Sequence, residues 1–338
     1  MKALIYPEYG RLEVGEWPEP HPGPGEALVQ VAACGICGSE LGSFAAQSRR
    51  RVPPMVMGHE FAGTIAALGE GVEGLILGQR VVVNSVVHCG ECDLCRRGLT
   101  HLCRRRQVFG MHRSGAFAER VSVPANIVYP LPESVTSLQG ALVEPLANGI
   151  HVVDLARGND LETVLVCGAG TIGLFSMQAA RAAGAQRVAA TDTNPHRLEM
   201  ARQMGADAVW NPAERNVAEA ALAWTDGEGV SLAIDAVGTP DSRRDTIRAA
   251  RPGGDIVWIG LHHDEATLNT FDVVLPEKRI IGSYAATDAD LRRAIQLFAA
   301  RRIRIDPWVE TFPLERGDEV FLAMLRQELP AIKAVLVP

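Results

Sequence analysis

The sequence predicts an α/β protein in two parts, a β-rich N-terminal domain and a parallel-sheet domain behind it. Three observations carry this. Before Pro145, short apolar runs are broken repeatedly by glycine and proline: Ala27–Val31, Gly63–Leu68, Arg80–Val83 and Phe117–Val123. Such runs read as strands of an all-β or α+β domain. From Val164 onward, apolar strands alternate with helical patterns, as in a parallel sheet with right-handed crossovers. Finally, four of the seven cysteines crowd between Cys89 and Cys103, which marks a small separate lobe.

Size and charge bound the answer. A chain of 338 residues has volume for two cores. Apolar residues at 47% and charged ones at 22% place it among ordinary soluble globular proteins. A net charge of −7 gives no electrostatic footprint for nucleic acid. The start, MKALIYPEYG, has no apolar secretory core. Nor is there a run of ~20 apolar residues for a membrane span. The expectation is a cytoplasmic protein with neither a nucleic-acid nor a membrane partner. Stable disulfides are rare in that compartment.

That bears on the stretch HCGECDLCRRGLTHLC, where Cys89, Cys92, Cys95 and Cys103 stand as C-x2-C-x2-C-x7-C. Disulfides, a redox switch and one shared metal are the competing readings. In a reducing compartment clustered cysteine pairs favour the metal. Zinc takes four thiolates tetrahedrally, and short loops let one segment wrap it. Gly90, Gly98 and the polar Arg96–Arg97 suit such a loop, and His101 is expected to be a loop residue beside the ligands. A closed site of this kind adds folding energy and no chemistry.

Chemistry needs an open site. VAACGICGSE holds Cys34 and Cys37, MGHEFAG holds His59 and Glu60, and ALVEPLANGIH holds Glu144. Thiolate, imidazole and carboxylate all ligate zinc, and three protein ligands plus an open position make a catalytic centre. Each piece alone is a weak signal. Cys34 is expected to be buried packing.

The second domain opens with TVLVCGAGTIGLFSMQAARAAGA. Val164–Cys167 reads as a strand, then come Gly168, Gly170 and Gly173, then a helix. This is the context a dinucleotide fingerprint demands. The first glycine permits the tight turn, the second lets backbone approach the pyrophosphate, and the third lets helix and strand pack closely. The pyrophosphate then meets a helix N-terminus, which favours an anion. A second strand, Arg187–Thr191, ends at Asp192, which lies 24 residues beyond Gly168. A carboxylate there accepts from ribose hydroxyls and repels a 2′-phosphate, so NAD is expected over NADP. A helix over Pro195–Met204, a strand over Val230–Gly238, a helix over Asp241–Ala250 and strands over Asp255–Gly260 and Arg279–Ala285 continue the alternation.

Taken together, these segments resemble the zinc-dependent medium-chain alcohol/polyol dehydrogenases, in their sorbitol, threonine and sugar-alcohol branch. The resemblance rests on CGICGSE at Cys34–Glu40, GHE at Gly58–Glu60, the four-cysteine lobe, EP at Glu144–Pro145 and GAGTIG at Gly168–Gly173. It covers essentially the whole chain. It implies a GroES-like β-rich catalytic domain over 1–149, a Rossmann doubly wound NAD-binding domain over 150–285 and a C-terminal return over 286–338. The return packs on the catalytic domain, and the active site lies between domains. It also implies two zincs per chain, NAD(H), a small alcohol or polyol substrate and a homodimer or homotetramer.

Carried over residue by residue, Cys37, His59 and Glu60 match the catalytic zinc ligands. Glu144 matches an acid that orients the metal-bound water and can itself approach the zinc. Ser39 matches the hydroxyl that meets the substrate alcohol. Cys89, Cys92, Cys95 and Cys103 match the structural zinc site. Gly168, Gly170, Thr171, Ile172 and Gly173, with Asp192, Arg197 and Val237, match the cofactor-binding set. Two departures stand out: Glu40 where the family usually has Asp, and Gly42 where many members have a proton-relay histidine. The proton route implied here runs through bound water, Ser39 and Glu144.

The implied reaction is reversible oxidation of a secondary alcohol or polyol to a ketone, with hydride passing to the nicotinamide. The EP motif and the following His151 carry the branch assignment. The loop between Cys37 and His59 contains Gln47, Ser48, Arg49, Arg50 and Arg51. Guanidinium forks suit phosphate, so a polyol phosphate is the runner-up substrate and a solvated loop the plainer reading. A non-catalytic zinc or nucleotide-binding regulator remains the alternative from another class. For assembly, the β-like stretch Ala266–Val274 is the expected edge that pairs with a second copy.

The two ligand sets predict separable metals. Cys92→Ser should lose one zinc and much stability. Cys37→Ser should lose the other and abolish turnover while the fold survives. Metal analysis and a melting curve on each variant check this; full activity in Cys37→Ser would remove the catalytic assignment.

Overall fold

The structure is a computed structural model that describes residues 1–156 and 161–338. It divides into two compact units. One comprises Met1–Glu144, Thr287–Arg301 and Ile305–Pro338; the other comprises Pro145–Ala286 and Arg302–Arg304.

In the first unit, everything is organised on the strand Glu26–Gly35. Its sequence EALVQVAACG is apolar almost throughout, and it is buried on both faces. It pairs antiparallel with Glu60–Leu68, with Arg120–Pro124 and with Lys333–Val337, which in turn pairs parallel with Val309–Pro313. One register places three segments together. Gly35 lies opposite Glu60 on one side and opposite Val335 on the other. Cys37, His59, Glu60 and Lys333 are all within two residues of those pairs. The core beneath holds Leu4, Val29, Phe44, Phe61, Phe117 and Phe321, all buried.

The helix Gly38–Ala45 begins where the central strand stops. Cys37 is its N-cap: the sulfur accepts from the Ser39 N–H, and Glu40 accepts back from the Cys37 N–H, a capping box made with a thiol. Further along, the segment Val86–Val87 pairs with Gln107–Val108, and the four-cysteine loop hangs between these two short strands.

The second unit is a six-stranded sheet, parallel throughout. Its order is Ala208–Trp210, Arg187–Thr191, Thr163–Cys167, Val230–Asp235, Ala250–Trp258, Arg279–Gly282. In chain order this reads 3-2-1-4-5-6, the doubly wound arrangement in which ligands bind at the carboxyl ends where the order reverses. Gly168 and Asp192 follow the ends of the first two strands of that series. The helix Thr171–Ala182 starts immediately after Gly170. Its close approach to the first strand depends on Gly173, where a Cβ would fall 1.7 Å from the Gly168 carbonyl oxygen.

One expectation is corrected. Ala266–Val274 is not a strand. Residues 266–270 have no regular structure, and Phe271–Val274 form a short helix. Asn269 is the reason: its side chain accepts from the Phe271 N–H and donates to Asp272, so a local side-chain turn replaces ladder bonding. The outer strands of this sheet are Ala208–Trp210 and Arg279–Gly282. Among the described residues, no helix is long and apolar enough to cross a membrane.

Gly173→Ala tests the packing argument. The backbone collision should lower Tm by about 5–10 °C and weaken dinucleotide binding. Zinc content should not change, because both cysteine sets lie in the other unit. Calorimetry, dinucleotide titration and metal analysis on one preparation check it; unchanged binding and Tm would refute the close-packing role.

Candidate active site

The ligand atoms of Cys37, His59 and Glu60 lie within 4.8 Å of one another. The chain's local geometry explains why. The capping turn brings the Cys37 sulfur back over the helix start, and Glu60 begins the strand paired to Gly35. Both His59 and Glu60 are buried. Three unlike donors converging within this distance, Cys37 half-buried and the other two buried, fit a zinc ion with an open position.

Glu40 holds this group in shape. Its carboxylate has no exposure. One oxygen accepts from the Gly58 N–H at 2.8 Å and meets His59 Nδ1 at 2.9 Å; the other accepts from the Cys37 N–H at 3.0 Å. Burial alone would raise this carboxyl, yet the charges of His59 and Arg51 and the Cys37 N–H hold it down at about 2. The imidazole feels the converse. Burial lowers it, but Glu40 and Cys37 push it well above its usual value. Occupying Nδ1 leaves Nε2 as the nitrogen for a metal, the usual carboxylate–histidine–zinc arrangement.

Glu60, the third candidate ligand, has a partner that the sequence analysis missed. Lys333, 1% exposed, forms an ion pair with Glu60 and donates to the Ile36 carbonyl at 2.8 Å. A lysine in the apolar run AIKAVLV was the available signal, since a charge in a buried strand requires a partner. Gly35 makes the space: a Cβ there would fall 2.4 Å from Glu60 Oε2 and 2.8 Å from Lys333 Cε.

The remaining predicted residues fall into place unequally. The Ser39 hydroxyl lies 3.3 Å from the Cys37 sulfur. Glu144 is buried in the first turn of the helix Val143–Leu155 and accepts from Ser85 Oγ at 2.9 Å. It stands outside the group that the three ligands form. Cys34 is fully buried, as expected, and His151 is buried on the same helix as Glu144. The three loop arginines separate. Arg49 and Arg50 are exposed, whereas Arg51 is 2% exposed and tied to the chain by four hydrogen bonds. That corrects the loop reading: Arg51 is neither solvated nor free to hold a phosphate.

The four-cysteine loop is built for a closed metal. All seven thiols are free. Sulfur–sulfur separations are 3.4 Å for Cys92–Cys95, 3.5 Å for Cys89–Cys103, 3.8 Å for Cys89–Cys95 and 3.9 Å for Cys92–Cys103. A tetrahedron of thiolates around zinc has edges of about 3.8 Å. The Glu91 backbone N–H, with Arg105 and further N–H groups, holds the Cys89 thiol down at about 5 against a smaller opposing effect of burial. His101 is buried in the short 3-10 turn Thr100–Leu102 beside the ligands.

In the second unit, Gly170 caps the helix that begins with Thr171 and Ile172. Asp192 is braced from both sides: Oδ2 accepts from the Ala169 N–H and Oδ1 from the Asn194 N–H, each at 2.9 Å. Arg197 Nη1 stands 3.8 Å from the same carboxylate. Val237 lines the turn, its methyl lying 2.6 Å from where a Cβ of Gly168 would be. The glycine cradle, the helix start and the carboxylate fit a dinucleotide.

Comparison with known proteins agrees. Residues 23–133 match the alcohol dehydrogenase GroES-like domain and residues 171–300 the zinc-binding dehydrogenase domain. The chain is 37% identical over 273 residues to L-threonine 3-dehydrogenase of Pyrococcus horikoshii, covering 80% of this chain and 78% of that one. The chain belongs to the zinc-dependent medium-chain alcohol dehydrogenase family. Among solved members, a putative zinc-binding dehydrogenase from Sinorhizobium meliloti bound to NADP is 32% identical, with TM-score 0.90 over 100% of this chain and 99% of that one. Galactitol-1-phosphate dehydrogenase from Escherichia coli is 28% identical, with TM-score 0.94 over 100% of both chains. This dehydrogenase is thus an oxidoreductase acting on CH–OH groups, with the Rossmann and GroES-like parts its sequence predicts.

The buried ion pair gives a stability prediction. In the zinc-free protein, Lys333→Met leaves the Glu60 charge uncompensated and should cost about 3–5 kcal/mol. Urea unfolding followed by circular dichroism measures it. A loss below about 1 kcal/mol would mean that Lys333 contributes little to holding Glu60.

Proposed function

We propose that this dehydrogenase oxidises a secondary alcohol or polyol reversibly to the ketone, with NAD⁺ preferred as the hydride acceptor. The observation that carries the reading is the Cys37–His59–Glu60 group, half-buried at the thiol and buried at the other two, in which a carboxylate is the third donor. Cys37, His59 and Glu60 would hold the catalytic zinc, and Cys89, Cys92, Cys95 and Cys103 the structural one. When bound, zinc supplies Lewis acidity at the alcohol oxygen and the nicotinamide accepts the hydride.

The chain's own residues do the rest. Glu40 fixes the His59 tautomer. Ser39 offers a hydroxyl to the substrate alcohol, and with Gly42 in place of a histidine there is no imidazole relay from that position. Glu144, hydrogen-bonded to Ser85, is a further acid–base group in the same unit. The N–H groups at the start of Thr171–Ala182 take the pyrophosphate, and Asp192 takes the ribose hydroxyls.

L-threonine, named for the relative above, carries a secondary hydroxyl at C3, which supports that substrate class. Galactitol 1-phosphate, named for another, supports the runner-up polyol phosphate. That alternative has lost one of its three arginines, because Arg51 is buried and makes four hydrogen bonds within the chain. On the cofactor side, Arg197 could favour NADP, but its charge is partly offset by Asp192, and a carboxylate at that position opposes a 2′-phosphate.

A panel of secondary alcohols, polyols, their phosphate esters and L-threonine, run with NAD⁺ and NADP⁺, tests all of this at the reduced-nicotinamide absorbance. NAD⁺ should give a kcat/KM at least ~10-fold above NADP⁺, a margin of about 1.4 kcal/mol. Asp192→Ala should narrow it, mainly by weakening NAD⁺. A wild-type preference for NADP⁺ would overturn the cofactor assignment, and a phosphate ester as best substrate would promote the runner-up.

A further inference from the structure

Arg51 was singled out in the sequence as a candidate phosphate ligand, and that role has gone. What the side chain does instead is specific. Its Nε donates to the Gly110 carbonyl at 3.0 Å, Nη1 to the Ser39 carbonyl at 2.9 Å and to Ser43 Oγ at 2.7 Å, and Nη2 to Ser39 Oγ at 3.2 Å. All four partners are uncharged oxygens. Two of them belong to Ser39, one on the backbone and one on the side chain. The guanidinium therefore clamps that residue at both ends.

A serine hydroxyl has one proton and two lone pairs, and a guanidinium has donors only. The Nη2 contact occupies one lone pair of Ser39 Oγ. The hydroxyl proton is directed at the Cys37 sulfur, 3.3 Å away. One lone pair is left. A group in this state accepts a hydrogen bond from an incoming alcohol and has no reason to rotate toward another partner. Without Arg51, an exposed serine at the second position of a helix would sample its rotamers freely.

We propose that Arg51 is a positioning residue, which holds the Ser39 hydroxyl so that its one free lone pair meets the substrate alcohol. The proposal rests on the reading of Ser39 as the group that contacts substrate. It also restricts that group. Arginine is not deprotonated in proteins, so no proton passes from Ser39 to Arg51. Ser39 is a fixed acceptor on this side and not a link in a relay leading through the loop.

The test is a double-mutant cycle on the zinc-loaded enzyme, with the best alcohol from the substrate panel and saturating dinucleotide. Ser39→Ala, Arg51→Met and the double variant are compared in kcat/KM for the alcohol, in KM for the dinucleotide, in Tm and in zinc per chain. Ser39→Ala and Arg51→Met should each lose about 10- to 100-fold in kcat/KM for the alcohol. Adding Arg51→Met to Ser39→Ala should cost less than about threefold more, because there is no hydroxyl left to position. KM for the dinucleotide should not move. Should Arg51→Met fail to fold, Arg51→Lys, which keeps the cation but cannot reproduce the fork, replaces it in the same cycle with the same expectation.

The outcomes separate cleanly. If Ser39→Ala leaves kcat/KM unchanged, the reading of Ser39 is wrong and the proposal goes with it. If Ser39→Ala is impaired and the arginine substitution multiplies that loss in full, Arg51 acts on the fold generally and the positioning role is overturned. If Ser39→Ala is impaired while Arg51→Met and Arg51→Lys keep wild-type kcat/KM, only the proposal fails and the reading of Ser39 survives.

Discussion

A carboxylate with no access to water must find partners for its lone pairs, and Glu40 finds them on both chain segments that carry the proposed zinc ligands. It accepts from the backbone of Cys37, from the backbone of Gly58 and from the His59 ring. The helix cap, the turn before the second strand and the imidazole tautomer thus share one anchor. Removing it would take the partner from the buried Gly58 N–H and the half-buried Cys37 N–H and leave the imidazole free to turn. The family's usual aspartate is one methylene shorter. Here the longer side chain reaches back from the third helical residue to its own N-cap, which an aspartate would do with different geometry.

Around that anchor the site is built from charges that neutralise each other in pairs or clusters. Glu60 has Lys333, Glu40 has His59 with Arg51 nearby, and the Cys37 sulfur sits at a helix N-terminus. Each pairing answers the cost of burying an ion. The result is a rigid arrangement on strands and a helix start, with Ser39 presented at the surface. In the second unit, rigidity comes from close packing: the helix Thr171–Ala182 touches the first turn with no room for a side-chain atom at Gly173.

Much of this was legible in the sequence, and the reasons are physical. The four-cysteine loop is local, so its spacing alone nearly fixes its geometry. The glycine fingerprint is local too, and its strand, turn and helix stand within one continuous run. Strand ends such as Thr191 and Asp192 could be placed because apolar runs stop abruptly there. Long-range pairings were not legible. Lys333 is separated from Glu60 by 273 residues and Arg51 from Gly110 by 59, and nothing local says that a given charge will be buried. Arg49, Arg50 and Arg51 look alike in sequence; only the packing tells two solvated side chains from a clamp. The stretch Ala266–Val274 has strand-like composition, but one Asn269 side chain diverts it into a turn.

The position of Lys333 has a consequence for how the protein comes into being. The strand that carries it closes the sheet on Gly35, and its ammonium reaches the Ile36 carbonyl across 297 residues of chain. During synthesis, the N-terminal strands, the capping turn and the four-cysteine loop leave the ribosome long before that strand does. The whole second unit up to Ala286 is made in between. Throughout that interval Glu60 has no lysine, and the edge of the central strand has no partner on that side. The half-built lobe is therefore exposed to wrong pairing, and the surroundings of Glu60 reach their final form only as a late event of biosynthesis.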